Sequence, residues 1–179
     1  MLFISNKGNT RGIEENLENN PIHIDKALAE GFFVTVDVWL VGDNVLSLGT
    51  QNPQYKVTLE YLSNPKIICR SRSIRTFETL AGAGIHTFYK DIERVAFSTK
   101  GIIFVDADMP ITPNCVCCLP EQIIGKIENC AMLTCAGVLS NQIKIIHEFW
   151  ETNLKKTEET EKTEETEDIK MDSIVEETS

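Results

Sequence analysis

An α/β fold with parallel strands is the class this sequence predicts, and three observations predict it. An apolar strand, LFIS, opens the chain, a loop carrying Asn6, Lys7, Gly8 and Gly12 follows, and a helix from Ile22 to Glu30 leads through Gly31 into a second strand, VTVDVWL. Strand, loop, helix, strand is the repeating unit of a parallel sheet. Within VTVDVWL apolar and polar residues alternate, as a half-buried strand requires. Further short apolar runs begin near Lys66, His86, Val95, Ile102, Cys115 and Met132, bringing the candidate strands, with those at Leu2 and Phe33, to eight.

The second strand carries the most chemical information. Its alternation sets Thr35 and Asp37 on one face and Val34, Val36 and Val38 on the other. A buried Asp is costly unless paired, so Asp37 is expected at a polar site, either as a ligand or bonded to loop amides or Lys7. Later in the chain the strands crowd together. Parallel neighbours need a crossover of about a dozen residues, and Ser98 to Gly101 cannot supply one. Either Phe97 and Ile102 flank a local hairpin or one of these strands is absent.

The body ends near Leu154, giving an expected domain over 1–154 and a tail over 155–179. In the tail KTEETE occurs twice without variation, at Lys156 to Glu161 and Lys162 to Glu167. Four Lys against ten Asp or Glu give it −6 of the formal −10. Such a segment has too little apolar surface to offset the entropy of ordering and is expected to be disordered. The acidic balance argues against nucleic acid as a partner. No apolar run reaches the length of a membrane span or a secretory leader, so the expected location is cytoplasmic. The six cysteines sit among strand-like apolar residues and are expected to be buried thiols. Cys115, Cys117 and Cys118 with His147 lack the paired C-x-x-C spacing of a zinc site.

Several fragments then share an order. Glu18-Asn19, Asp37, Trp39, Leu48-Gly49, Pro53-Gln54-Tyr55, Ile68 to Ser73, Ile85 to Tyr89, Ser98 to Gly101, Leu119-Pro120-Glu121 and Ala136 to Asn141 run in sequence through the body. Together they resemble the glycerophosphodiester phosphodiesterase family, in its short, phosphatidylinositol-phospholipase-like branch. The resemblance implies a (β/α)8 barrel of the TIM type, which usually needs about 250 residues. This shorter body is expected to make a compact or incomplete one.

The departures from that family bear directly on function. Its members hold Ca²⁺ or Mg²⁺ with carboxylates to polarise a phosphodiester and use two histidines as general acid and base. By the resemblance Asn6 and Lys7 stand where the first His and its Arg belong, Thr35 replaces a metal-binding Glu, and Thr50 and Gln51 replace the second His and its Asp. Asp37 and Glu18 remain as the implied metal ligands. Lys7, Arg70 and Arg72 fall at or after strand ends, where guanidinium groups suit phosphate. The plainer reading makes Arg70, Arg72 and Arg75 a solvated run. His23, His86 and His147 are expected to be structural.

The leading expectation is therefore a diverged, catalytically inactive barrel that binds a phosphorylated small molecule without a cofactor. An active metal-dependent phosphodiesterase with a rearranged site is the rival. An interaction protein that recruits a protein partner through residues 155–179 is the third.

Overall fold

The computed structural model describes residues 1–157 of the chain. It is a mixed α/β structure. The described residues contain β1 (Leu2–Asn6), α1 (Pro21–Ala29), β2 (Phe33–Val41), β3 (Val45–Leu48), β4 (Tyr55–Lys56), α2 (Leu59–Leu62), β5 (Ile67–Ser71), α3 (Ile74–Gly82), β6 (Thr87–Tyr89), β7 (Val95–Phe97), β8 (Ile103–Asp106), β9 (Cys115–Cys118), a 3₁₀ turn (Pro120–Gln122), α4 (Ile127–Ala131) and β10 (Gly137–Ser140). A last helix, α5, occupies residues 143–157. It passes the boundary expected at Leu154, and most of the KTEETE segment, with the disorder and partner expected of it, lies outside the described residues.

One curled sheet organises the chain. Its neighbours run β6, β5, β2, β1, β10, β9, β8, β7, while β3 and β4 extend the far half of β2 as an antiparallel ladder. From β6 to β8 every pairing is parallel, and β7 lies antiparallel to β8 with Phe97 opposite Ile103. Phe97 and Ile102 thus flank a local hairpin, because four residues cannot carry a crossover. The two ends of the curl meet at β6 and β7. There the Thr99 amide donates to the Thr87 carbonyl at 2.8 Å, and the Thr87 amide donates to Thr99 Oγ1 at 3.1 Å.

A helix lies between each successive pair of the parallel strands β1, β2, β5 and β6, with the β3–β4 ladder inserted after β2, and the alternation lapses beyond β6, since no helix separates β6 from β9. The strand expected from Met132 is a correction. Ile127–Ala131 is helical, Met132 caps it, and the strand starts at Gly137. Met132 is taken up as the helix cap, and Gly137 lets β10 approach β1. A Cβ at Gly137 would meet Leu2 Cβ and the Leu2 carbonyl oxygen, both at 2.7 Å.

Caps fix where the helices begin. The Asn20 side chain accepts from the Ile22 amide ahead of Pro21, and Ser73 accepts from Thr76. Their apolar faces cover the outer side of the sheet, where Ile24, Ala27 and Leu80 pack with Val34, Val36, Val38 and Cys69. Inside the curl the side chains come from strands all around it: Ile4, Ile68, Phe88, Ala96, Phe104, Val116 and Leu139. α5 closes a third cluster with Phe32 and Val138. All the cysteines are free, and all are buried except the half-buried Cys135. No described helix is long and apolar enough to cross a membrane.

Candidate functional site

The strand period turns Thr35, Asp37 and Arg70 to the inner side, opposite the valines. Because β2 and β5 are in register at Asp37 and Arg70, the two side chains are direct cross-strand neighbours. Arg70 donates from Nε to Asp37 Oδ1 at 2.5 Å and from Nη2 to Oδ2 at 2.9 Å. Asp37 is 1% exposed, so this fork supplies the partner that burial demands. Lys7, the other partner considered for Asp37, goes elsewhere.

Lys7 follows β1 with φ of 58°, and Asn19 has φ of 61°. The Asn19 amide donates to the Lys7 carbonyl at 3.0 Å, so two left-handed non-glycine residues brace one another. Such backbone costs about 1–3 kcal/mol per residue and persists where surroundings over-determine it. Here it aims Lys7 Nζ at Glu18 Oε2, 3.0 Å away. Gly8, with φ of 95°, lets the loop cross His23, whose Cδ2 lies 2.6 Å from where a Cβ would stand.

Glu18 is the hub of a network. Besides Lys7 it accepts from Asn9 Nδ2 at 3.0 Å and from Thr50 Oγ1 at 2.9 Å. Thr50 in turn accepts from Asn19, whose side-chain oxygen receives the Asp37 amide at 2.7 Å. Burial alone would raise the Glu18 carboxyl. Hydrogen bonds from Lys7 and Thr50, the Lys7 charge and the Asn9 amide outweigh it and hold the group below its ordinary value. On the other flank Asn141 Oδ1 accepts from Asn6 Nδ2 at 2.9 Å and from Asn9 Nδ2 at 3.0 Å, and Thr35 Oγ1 donates to Asn6 Oδ1 at 3.3 Å.

These groups line a cavity of about 310 Å³ at the carboxyl ends of the parallel strands. Asn6, Lys7, Glu18, Thr35 and Arg70 reach it. Thr50 and Asp37 lie one bond behind, on Glu18 and Arg70. Arg72 is not among the lining residues, for β5 ends at Ser71 and the Arg72 guanidinium lies 5.3 Å from the Trp39 ring centre. Gln51 is exposed and Arg75 bonds Asn44. The histidines sit elsewhere. His23 is buried on α1, His86 Nε2 is 3.0 Å from Ser98 Oγ at the sheet's seam, and His147 packs edge-on to Phe3.

Sequence reasoning missed most of the other lining residues, Lys90, Asp106, Leu119 and Asn141 among them. Lys90, just past β6, is paired with Asp106 at the end of β8, Leu119 follows β9, and Asn141 follows β10. Asn141 had a signal, standing at the end of the Ala136–Asn141 fragment. Lys90 and Asp106 had none, because their pairing depends on the curl.

Glu18 and Asp37 each already hold a cation, and among the described residues no three or more His, Cys, Asp or Glu side chains gather as metal ligands. Beside the acceptors Asp91 and Gln122, the described lining residues hold a set of donors with hydrogens to spare. Lys7 and Lys90 keep spare ammonium hydrogens, Arg70 keeps Nη1, and Asn141, its oxygen fixed by two amides, keeps Nδ2. No family model matches the chain, and neither a curated protein nor a solved structure is significantly similar to it.

Proposed function

We propose that this chain is a diverged, non-hydrolytic relative of the glycerophosphodiester phosphodiesterases, an incomplete barrel that holds a phosphorylated small molecule at its mouth. One observation carries the reading: Glu18 and Asp106 on the cavity wall and Asp37 behind it are committed to internal partners, leaving Asp91 beside Lys90, while Lys7, Arg70, Lys90 and Asn141 present spare N–H donors. A phosphate group has acceptors only, and such a surface satisfies it. Hydrolysis has no comparable support. Asn6 and Thr50 cannot exchange protons near neutral pH, and no histidine lines the cavity.

The test combines binding with turnover. Phosphate and phosphate esters are expected to raise the melting temperature of the full chain, by an amount equivalent to about 2.7 kcal/mol at a hundred times Kd, with no alcohol released from glycerophosphocholine in Mg²⁺ or Ca²⁺. Turnover near the ordinary enzyme rate of about 10 s⁻¹ would overturn the reading in favour of an active phosphodiesterase. Stabilisation that survives Lys7→Met and Arg70→Met together would remove the site from it.

A further inference from the structure

We propose that the ligand of this cavity is amphiphilic, a phosphate ester whose organic part is apolar rather than a polyol. The inference rests on the phosphate-binding reading above and follows from how the lining divides around the curl. β1, β5 and β6 bring the cations Lys7, Arg70 and Lys90 to one sector. β9 and β10 bring Cys118, Leu119 and Leu139 to the wall beside it, over Phe104, whose ring stacks on Phe88 with centroids 4.5 Å apart.

Leu119 is the unusual member. Its φ is 50°, a left-handed conformation uncommon for a bulky side chain and found where a site imposes it. Hydrogen bonds pin it there: its amide donates to the Leu139 carbonyl at 2.7 Å, and the Gln122 amide donates to its own carbonyl at 3.1 Å. An apolar side chain is thereby held half-exposed on the cavity wall where a glycine would be relaxed. From the β1–α1 loop Ile13, 58% exposed, adds a second aliphatic surface to the same cavity.

Glycerol or inositol hydroxyls would need acceptors of their own. Both Glu18 oxygens already accept from Lys7, Asn9 and Thr50, and Asp106 is held by Lys90 and Arg94, so Asp91, beside Lys90, and Gln122 are the lining side-chain acceptors left for them. Hydroxyls set against Leu119, Leu139 and Ile13 would go unpaired, which costs affinity, whereas methylenes there gain it.

Calorimetry on the full chain with hexyl phosphate, glycerol 3-phosphate, inorganic phosphate and hexanol tests this. Hexyl phosphate is expected to bind at least about tenfold more tightly than glycerol 3-phosphate, since two or three buried methylenes account for that, and hexanol is expected not to bind. Leu119→Gly suits the left-handed backbone and is expected to erase most of the hexyl advantage. Equal or tighter binding of glycerol 3-phosphate, or an advantage untouched by Leu119→Gly in a folded variant, would overturn the inference and leave the phosphate site standing. Failure of every phosphate would overturn both. Phosphatidylcholine vesicles with and without phosphatidic acid separate the sources: binding confined to soluble esters assigns a free metabolite, binding that requires phosphatidic acid assigns a lipid headgroup, and binding to neither removes the proposal.

Discussion

Arg70 grips Asp37 through two hydrogen bonds, at 2.5 and 2.9 Å, across the β2–β5 ladder. The carboxylate is almost wholly buried, while the guanidinium side chain is 30% exposed and keeps one edge for the cavity. The pair therefore neutralises a charge inside the curl and orients a donor toward the mouth.

Removing one partner should cost more than removing both. Arg70→Ala leaves Asp37 buried and uncompensated, and a loss of about 3 kcal/mol is expected, at the low end for a buried pair because water reaches Arg70. Arg70→Met with Asp37→Asn should recover most of that. Urea unfolding of both variants checks it, and equal losses would mean that the pair contributes no coupling.

Two buried groups give separable acid responses. Burial, helped by the Lys100 charge, depresses the His86 imidazole to about 4 from an ordinary 6.5. Above about 6.5 it is neutral both folded and unfolded. As pH falls from there toward about 4 the unfolded chain takes up a proton that the folded chain refuses, so stability declines across that interval. Glu18 acts lower. Its folded value lies below the ordinary 4.5, so the stability it contributes is present above 4.5 and is lost as pH falls through the folded value. Unfolding midpoints across a pH series are expected to flatten in the upper window for His86→Gln and in the lower one for Glu18→Gln. An unchanged upper window in His86→Gln would place the titration on another group.

The glycines predict opposite signs. Gly137→Ala drives a methyl into Leu2 across the β1–β10 ladder, and about 1–3 kcal/mol of destabilisation is expected from the overpacking. Gly82, in α3, has nothing within 4 Å of the added carbon, so Gly82→Ala should stabilise by about 0.5–1 kcal/mol through helix propensity and unfolded-state entropy. Thermal unfolding of the two variants reads both signs.

What the sequence disclosed and withheld divides by range. α1, β2 and the inner placement of Thr35 and Asp37 were legible because periodicity and the cost of a buried charge are local. Between Phe97 and Ile102 chain length excluded a crossover and left either a local hairpin or a missing strand, of which the structure has the hairpin. Arg70 as the partner of Asp37 was not legible, since it requires the register of two strands some thirty residues apart. Arg72 falls with Arg70 at a strand end in the sequence, but β5 ends before it and its guanidinium lies against Trp39. Lys90, Asp106 and Leu119 join the cavity only because β6, β8 and β9 are brought round to face β1. Met132 misled because an apolar residue need not belong to a strand: it caps α4 and is exposed, and the strand begins five residues later at Gly137.

The Arg70 fork also governs whether a metal site can be rebuilt. Thr35 and Asp37 occupy one face of β2, so Thr35→Glu supplies a second carboxylate beside the first. Asp37, however, has both oxygens engaged by Arg70, and a cation would have to displace a guanidinium before using either. Thr35→Glu alone is therefore expected to bind neither Ca²⁺ nor Mg²⁺. Thr35→Glu with Arg70→Ala frees Asp37 and lets two carboxylates and water surround an ion, in the oxygen-rich setting such cations need. Calorimetry with Ca²⁺ should then show saturable binding to the double variant and none to the single one. Ca²⁺ binding to the single variant at comparable affinity would show that Arg70 yields readily, and the case for Arg70 as a fixed phosphate donor would weaken with it.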